Sequence, residues 1–79
     1  MNNFMNNRTI LSICDVENPD KLPLFRTDSF PAIPNVGEEI FVGVLSELKT
    51  CTVARREISY TTDPNGCKLT FILIWVNVL

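Results

Sequence analysis

Residues able to do chemistry are few in this chain, and their spacing argues against catalysis. Histidine is absent, which removes the side chain most used for proton transfer near neutral pH and the commonest metal ligand. Cys14, Cys51 and Cys67 form no Cys-x-x-Cys pair. With no imidazole to activate them they read as small buried hydrophobes on strands rather than nucleophiles. Asp15, Glu17, Glu38 and Glu39 supply carboxylates, but nothing in their spacing gathers two of them into an acid–base pair. Gly37, Gly43 and Gly66 lie too far apart to form a phosphate-cradling loop. The expectation is a protein that is not an enzyme and carries no metal and no cofactor.

Two groups of residues point to binding instead. Arg55-Arg56 is the one adjacent basic pair, and a guanidinium can fork onto a phosphate or carboxylate while Tyr60 stacks beside it. That would hold a small anionic ligand; the plainer reading is a solvated strand pairing with Glu57. Phe25, Arg26 and Phe30 set aromatic rings beside a cation, the composition of a protein-interface hot spot. Phenylalanines in so small a chain can equally plug the open end of a barrel.

The elements that must position these residues follow from composition. Seventy-nine residues allow one domain. Val, Ile and Thr supply 21 of them and Ala only 2, so pleated sheet is favoured over helix. The formal net charge of −2 lacks the basic field of most nucleic-acid binders, so nucleic acid is not an expected partner. The longest apolar run, Phe71 to Val76, falls far short of the roughly 20 residues a membrane-spanning helix needs. Three cysteines leave an odd thiol after any one disulfide, which fits a reducing cytoplasm.

Along the chain, residues 1–7 read as a disordered tail, and residues 8–79 as a single β domain. Arg8 to Val16 is a β-branched run ending at the turn formers Glu17-Asn18-Pro19-Asp20. A loop over residues 17–37 follows, rigidified by Pro19, Pro23, Pro31 and Pro34. From Ile40 to Leu48 a helical spacing of Ile40, Val44 and Leu48 competes with a strand; Gly43 and the β-branched residues favour the strand. Asp63-Pro64-Asn65-Gly66 predicts a tight hairpin joining Thr50–Thr62 to Lys68–Leu79. In the first of these strands the apolar parity changes, and a β-bulge near Arg55-Arg56 absorbs the extra residue.

The last strand is apolar on both faces, with Phe71, Leu73 and Trp75 on one and Ile72, Ile74 and Val76 on the other. A one-core domain normally leaves one sheet face to water. Ile72, Ile74 and Val76 are therefore candidates for a subunit or partner interface, alongside Phe25, Arg26 and Phe30. The alternative is a central strand covered by the proline-rich loop. The predicted fold is a small antiparallel barrel or strongly bent sheet of four to five strands, with a short helix near 40–48 as the one competing element.

The segment Ile33-Pro34-Asn35-Val36-Gly37-Glu38-Glu39-Ile40, followed by a long hairpin, resembles a pattern in short phage and bacterial proteins built on a small SH3-like β-barrel. The resemblance implies a non-enzymatic protein that binds and antagonises a host factor. Together these readings lead to a homo-oligomeric protein-interaction module, with an oligomeric binder of an anionic metabolite or nucleotide signal as the alternative.

Overall fold

A computed structural model of the chain describes residues 7–79. The expected tail thus lies, but for Asn7, outside the described residues. Five strands form one sheet in the order β2-β1-β5-β4-β3: β1 is Arg8–Asp15, β2 Phe25–Thr27, β3 Glu39–Val44, β4 Glu47–Thr62 and β5 Lys68–Val78. The described residues contain no helix, and the Ile40 region adopts the strand its β-branched residues favour.

Each element stops where local chemistry stops it. β1 ends because the Asp15 carboxylate accepts hydrogen bonds from Glu17 N and Asn18 Nδ2, both at 2.9 Å, folding the chain back on itself. The 17–37 segment is interrupted by β2, whose three residues pair with β1 alone. As an edge strand it tolerates prolines on either side. At the long hairpin the Asp63 carboxylate accepts from the amides of Asn65 and Cys67 at 2.9 Å, and Gly66 takes the left-handed backbone, φ +86°, that closes the turn. At the other hairpin, Val44 pairs with Glu47 across a two-residue turn in which Leu45 is left-handed at φ +59°.

Two features refine the sequence reading. The bulge falls between Val53 and Arg55, at Ala54, one residue ahead of the expected Arg55-Arg56. The sheet is also mixed rather than wholly antiparallel, because β1 runs parallel to β5 from Arg8/Leu69 to Asp15/Val76. Strand periodicity fixes which face a residue takes but not which strand becomes its neighbour.

The core lies on the inner face: Leu11, Ile13, Val42, Cys51, Val53, Ile72, Ile74 and Val76 are buried, with Leu24, Phe30 and Ile33 packed against them from the connecting loops. The sheet bends until β2 and β3 touch, yet no ladder joins them, so it stays open along that seam. Beyond the bulge, β4 and β5 continue, with β1 along the far side of β5, as an arm in a molecule 48 Å long and only 22 by 21 Å across.

Candidate functional site

Faces follow from register. Arg55 pairs with Trp75, Glu57 with Leu73 and Ser59 with Phe71 on the outer face; Arg56 pairs with Ile74, Ile58 with Ile72 and Tyr60 with Thr70 on the inner one. The anion site expected from Arg55, Arg56 and Tyr60 is therefore not assembled. Arg55 points away from the other two, and Arg56 donates to Pro34 O at 3.4 Å and Asn35 Oδ1 at 3.2 Å, holding the proline-rich loop to the arm.

The interface residues expected from sequence separate as well. Ile72, Ile74 and Val76, at 3, 0 and 0% exposure, belong to the core and are out of a partner's reach. The reason is parity: the loop residues Phe30 and Ile33 cover the even face of β5, leaving its odd face outward. Phe30 thus takes the plugging role. Phe25 stays 43% exposed on the edge strand, next to exposed Arg26.

Phe25 belongs to a larger apolar patch at the open seam. It lines a small cavity, about 90 Å³, with Ile13, Phe41, Val42 and Gly43. Phe41 is 61% exposed, and Leu48, opposite Gly43 in the β3–β4 ladder, is 71% exposed. Gly43 has no side chain to fill the space between them, so Phe41 and Leu48 are diagonal neighbours on one surface. Leu45 stands fully exposed at the adjoining turn. Phe25 and Phe41 thus meet where two strand edges face each other unpaired, with Leu48 one strand in from that edge and Leu45 at the adjoining turn.

A second cluster occupies the outer face of the arm. The Arg55 guanidinium stacks 5.2 Å from the centre of the Trp75 ring, and Arg55 Nη2 lies 3.3 Å from Glu57 Oε1, which also accepts from Trp75 Nε1. Further along, Arg8, Ile10, Arg26, Thr27 and Asp28 line a shallow groove of about 530 Å³, with Arg8 Nη2 3.9 Å from Asp28 Oδ2. Burial pushes the Cys14 thiol up, and the nearby Glu57 charge adds to this against an opposing pull from Arg26. Cys51 is likewise pushed up by burial. Both are protonated, unreactive core thiols at neutral pH.

Among the described residues no His, Cys, Asp and Glu cluster could hold a metal ion. No buried side-chain polar atom among them lacks a partner. No helix among them is long and apolar enough to cross a membrane. Sequence reasoning anticipated the pairing with Glu57, which Arg55 makes, but missed the stacking of Arg55 on Trp75 and the Phe41–Leu48 half of the seam patch. The stack was within reach of the turn chemistry, because a hairpin closed at Asp63-Pro64-Asn65-Gly66 pairs Thr62 with Lys68, and counting back sets Arg55 beside Trp75. No protein-family model, curated protein or solved structure matches the chain.

Proposed function

We propose that this chain is a non-catalytic, self-associating interaction module that holds a protein partner at the open seam. The observation that carries the reading is the exposure of Phe25, Phe41, Leu45 and Leu48 together, with Arg26 adjacent. Contiguous exposed apolar surface on a small soluble domain marks an interaction site, and aromatic residues beside arginine are the usual anchors of such sites. The resemblance of Ile33–Ile40 to short phage and bacterial proteins adds the expectation that the partner is a host protein which this chain antagonises.

The test is selection of displayed peptides against the folded protein. Selected binders are expected to lose at least about tenfold in affinity, some 1.4 kcal/mol, against Phe41→Asp or Leu48→Asp, and to keep it against Leu22→Asp, a still more exposed leucine elsewhere. Equal binding to all three variants would overturn the seam assignment.

A second reading, capture of a small anion, is favoured by Arg8 and Arg26 lining one groove. Under that reading native mass spectrometry finds a retained anionic adduct that Arg26→Ala abolishes. An adduct-free spectrum removes it.

A further inference from the structure

The outer edge of β4 changes character past the bulge. β3 pairs with β4 only as far as Thr52, and Gly37 N and Glu38 O take the backbone groups of Val53 at 2.8 and 2.9 Å. From Glu57 to Thr62 no described strand lies along this outer edge, and every residue is exposed. Asp63 N donates to Cys67 O at 2.9 Å just beyond the last ladder pair, Thr62/Lys68, and Val16 N donates to Val76 O at 3.0 Å, which turns Val76 toward β1 and Trp75, the partner of Arg55, toward β4. By alternation Thr61, Ser59 and Glu57 bond inward to β5, and the N–H and C=O groups of Arg56, Ile58, Tyr60 and Thr62 point outward. Natural edges of this kind are blunted by lysine, proline, a bulge or a covering loop. Ile58-Ser59-Tyr60-Thr61-Thr62 has none of these and is built from strong strand formers.

The geometry points to a second copy of this chain as the occupant, added antiparallel, edge to edge, about a two-fold axis through Ser59. This rests on the self-association proposed above and assigns its surface. The register is set by what each alternative would cost. With Ser59 opposite the second copy's Ser59, Ile58 meets Tyr60 twice on the inner face, a favourable β-branched–aromatic pair. Arg56 then meets Thr62, and Arg55 stands opposite the second copy's Asp63 at both ends. All four outward residues find outward partners, giving about eight backbone hydrogen bonds. Shifting the axis to Tyr60 sets Glu57 against the second copy's Asp63, like charge to like. Shifting it to Ile58 brings that Asp63 onto Val53, whose backbone groups are already bonded. An axis normal to the sheet keeps both outer faces on one side, so the two five-stranded sheets become one continuous surface.

The test combines sedimentation with cross-linking. The wild-type chain is expected to sediment as a dimer. Tyr60→Pro removes an outward N–H without touching the β5 ladder, and is expected to weaken the dimer at least about tenfold while leaving Trp75 emission unchanged. In a Cys67→Ser background, Ser59→Cys is expected to form an intermolecular disulfide on mild oxidation, since non-hydrogen-bonded antiparallel pairs have the required spacing. Ile58→Cys and Tyr60→Cys are expected not to. Cross-linking through Tyr60→Cys instead would overturn the register. A dimer that survives Tyr60→Pro and does not cross-link through Ser59→Cys would overturn the edge while leaving self-association standing. A wild-type monomer at high concentration would remove self-association itself and the edge pairing with it.

Discussion

The Arg55 guanidinium lies over the face of Trp75, 5.2 Å from the ring centre, because the hairpin register makes the two residues direct cross-strand partners on the outer face. Glu57 ties the pair together by accepting from both side chains. The contact is solvent-exposed, where a cation over an aromatic ring contributes about 0.5–1 kcal/mol. Trp75 is the chain's one tryptophan, so its fluorescence reports on the surroundings of this one ring, the guanidinium included. Arg55→Ala is expected to move the emission to longer wavelength and to lower unfolding stability by about that amount. An unchanged spectrum would mean that the guanidinium does not sit over the ring in solution.

The two faces of β5 should respond very differently to truncation. Ile74 is fully buried and Leu73, its neighbour, is half-buried on the outer face. Ile74→Ala leaves a cavity in the core and is expected to cost about 3–4 kcal/mol, against about 1 kcal/mol for Leu73→Ala. Urea denaturation of the two variants measures the difference. Equal losses would contradict the assignment of the even face to the core.

Leu45 occupies a left-handed backbone conformation at φ +59° that a branched side chain adopts only under strain, and its side chain is fully exposed. Leu45→Asn relieves the strain without removing a core contact. It should raise stability by about 1 kcal/mol. If binders selected at the seam also weaken with this variant, the leucine is held in its strained turn for the sake of the partner.

Asp15 gives the fold an acid sensitivity of known sign. Its hydrogen bonds from the Asn18 side chain and the Glu17 amide hold its carboxyl below the ordinary value of 3.8. The charged form is thus favoured by folding: the contribution is present above that ordinary value and is lost as pH falls through the lower, folded one. Unfolding midpoints measured from pH 5 downward are expected to fall more steeply for the wild type than for Asp15→Asn. Parallel curves would show that the turn does not hold the charge.

Strands β1, β5 and β4 from Thr50 onward were legible in the sequence because β-branched runs ended at residues with turn chemistry, above all Asp63-Pro64-Asn65-Gly66; β3 was legible as strand from its β-branched residues, but its turn at Leu45-Ser46 carries no such chemistry, so β4 begins at Glu47, ahead of the expected Thr50. β2 was hidden because three residues between prolines carry no period. The parallel pairing of β1 with β5 was hidden for a different reason, since alternation orders faces but is silent on which strands become neighbours. In the site, Phe25 was legible as an exposed aromatic beside Arg26. Phe41 and Leu48 were not, because the apolar residues of 40–48 fit two periods and only the β3–β4 register decides which of them face outward. Arg55 and Arg56 part company through the same alternation that builds the strand, and the bulge at Ala54 does not reunite them.

The parallel β1–β5 ladder also governs how the chain reaches its fold. Residues paired there, such as Arg8 with Leu69, stand about sixty positions apart in the sequence, and contacts of such separation are slow to form. On the ribosome, β1 emerges several seconds before the strand it pairs with, at typical synthesis rates of about 5–20 residues per second. Until then Leu11 and Ile13 have only the short β2 to pair against, while the β3–β4 hairpin is free to close locally. The sheet is therefore completed from its middle last, once β5 has emerged, and the interval in which β1 waits is when a newly made molecule is most open to mispairing.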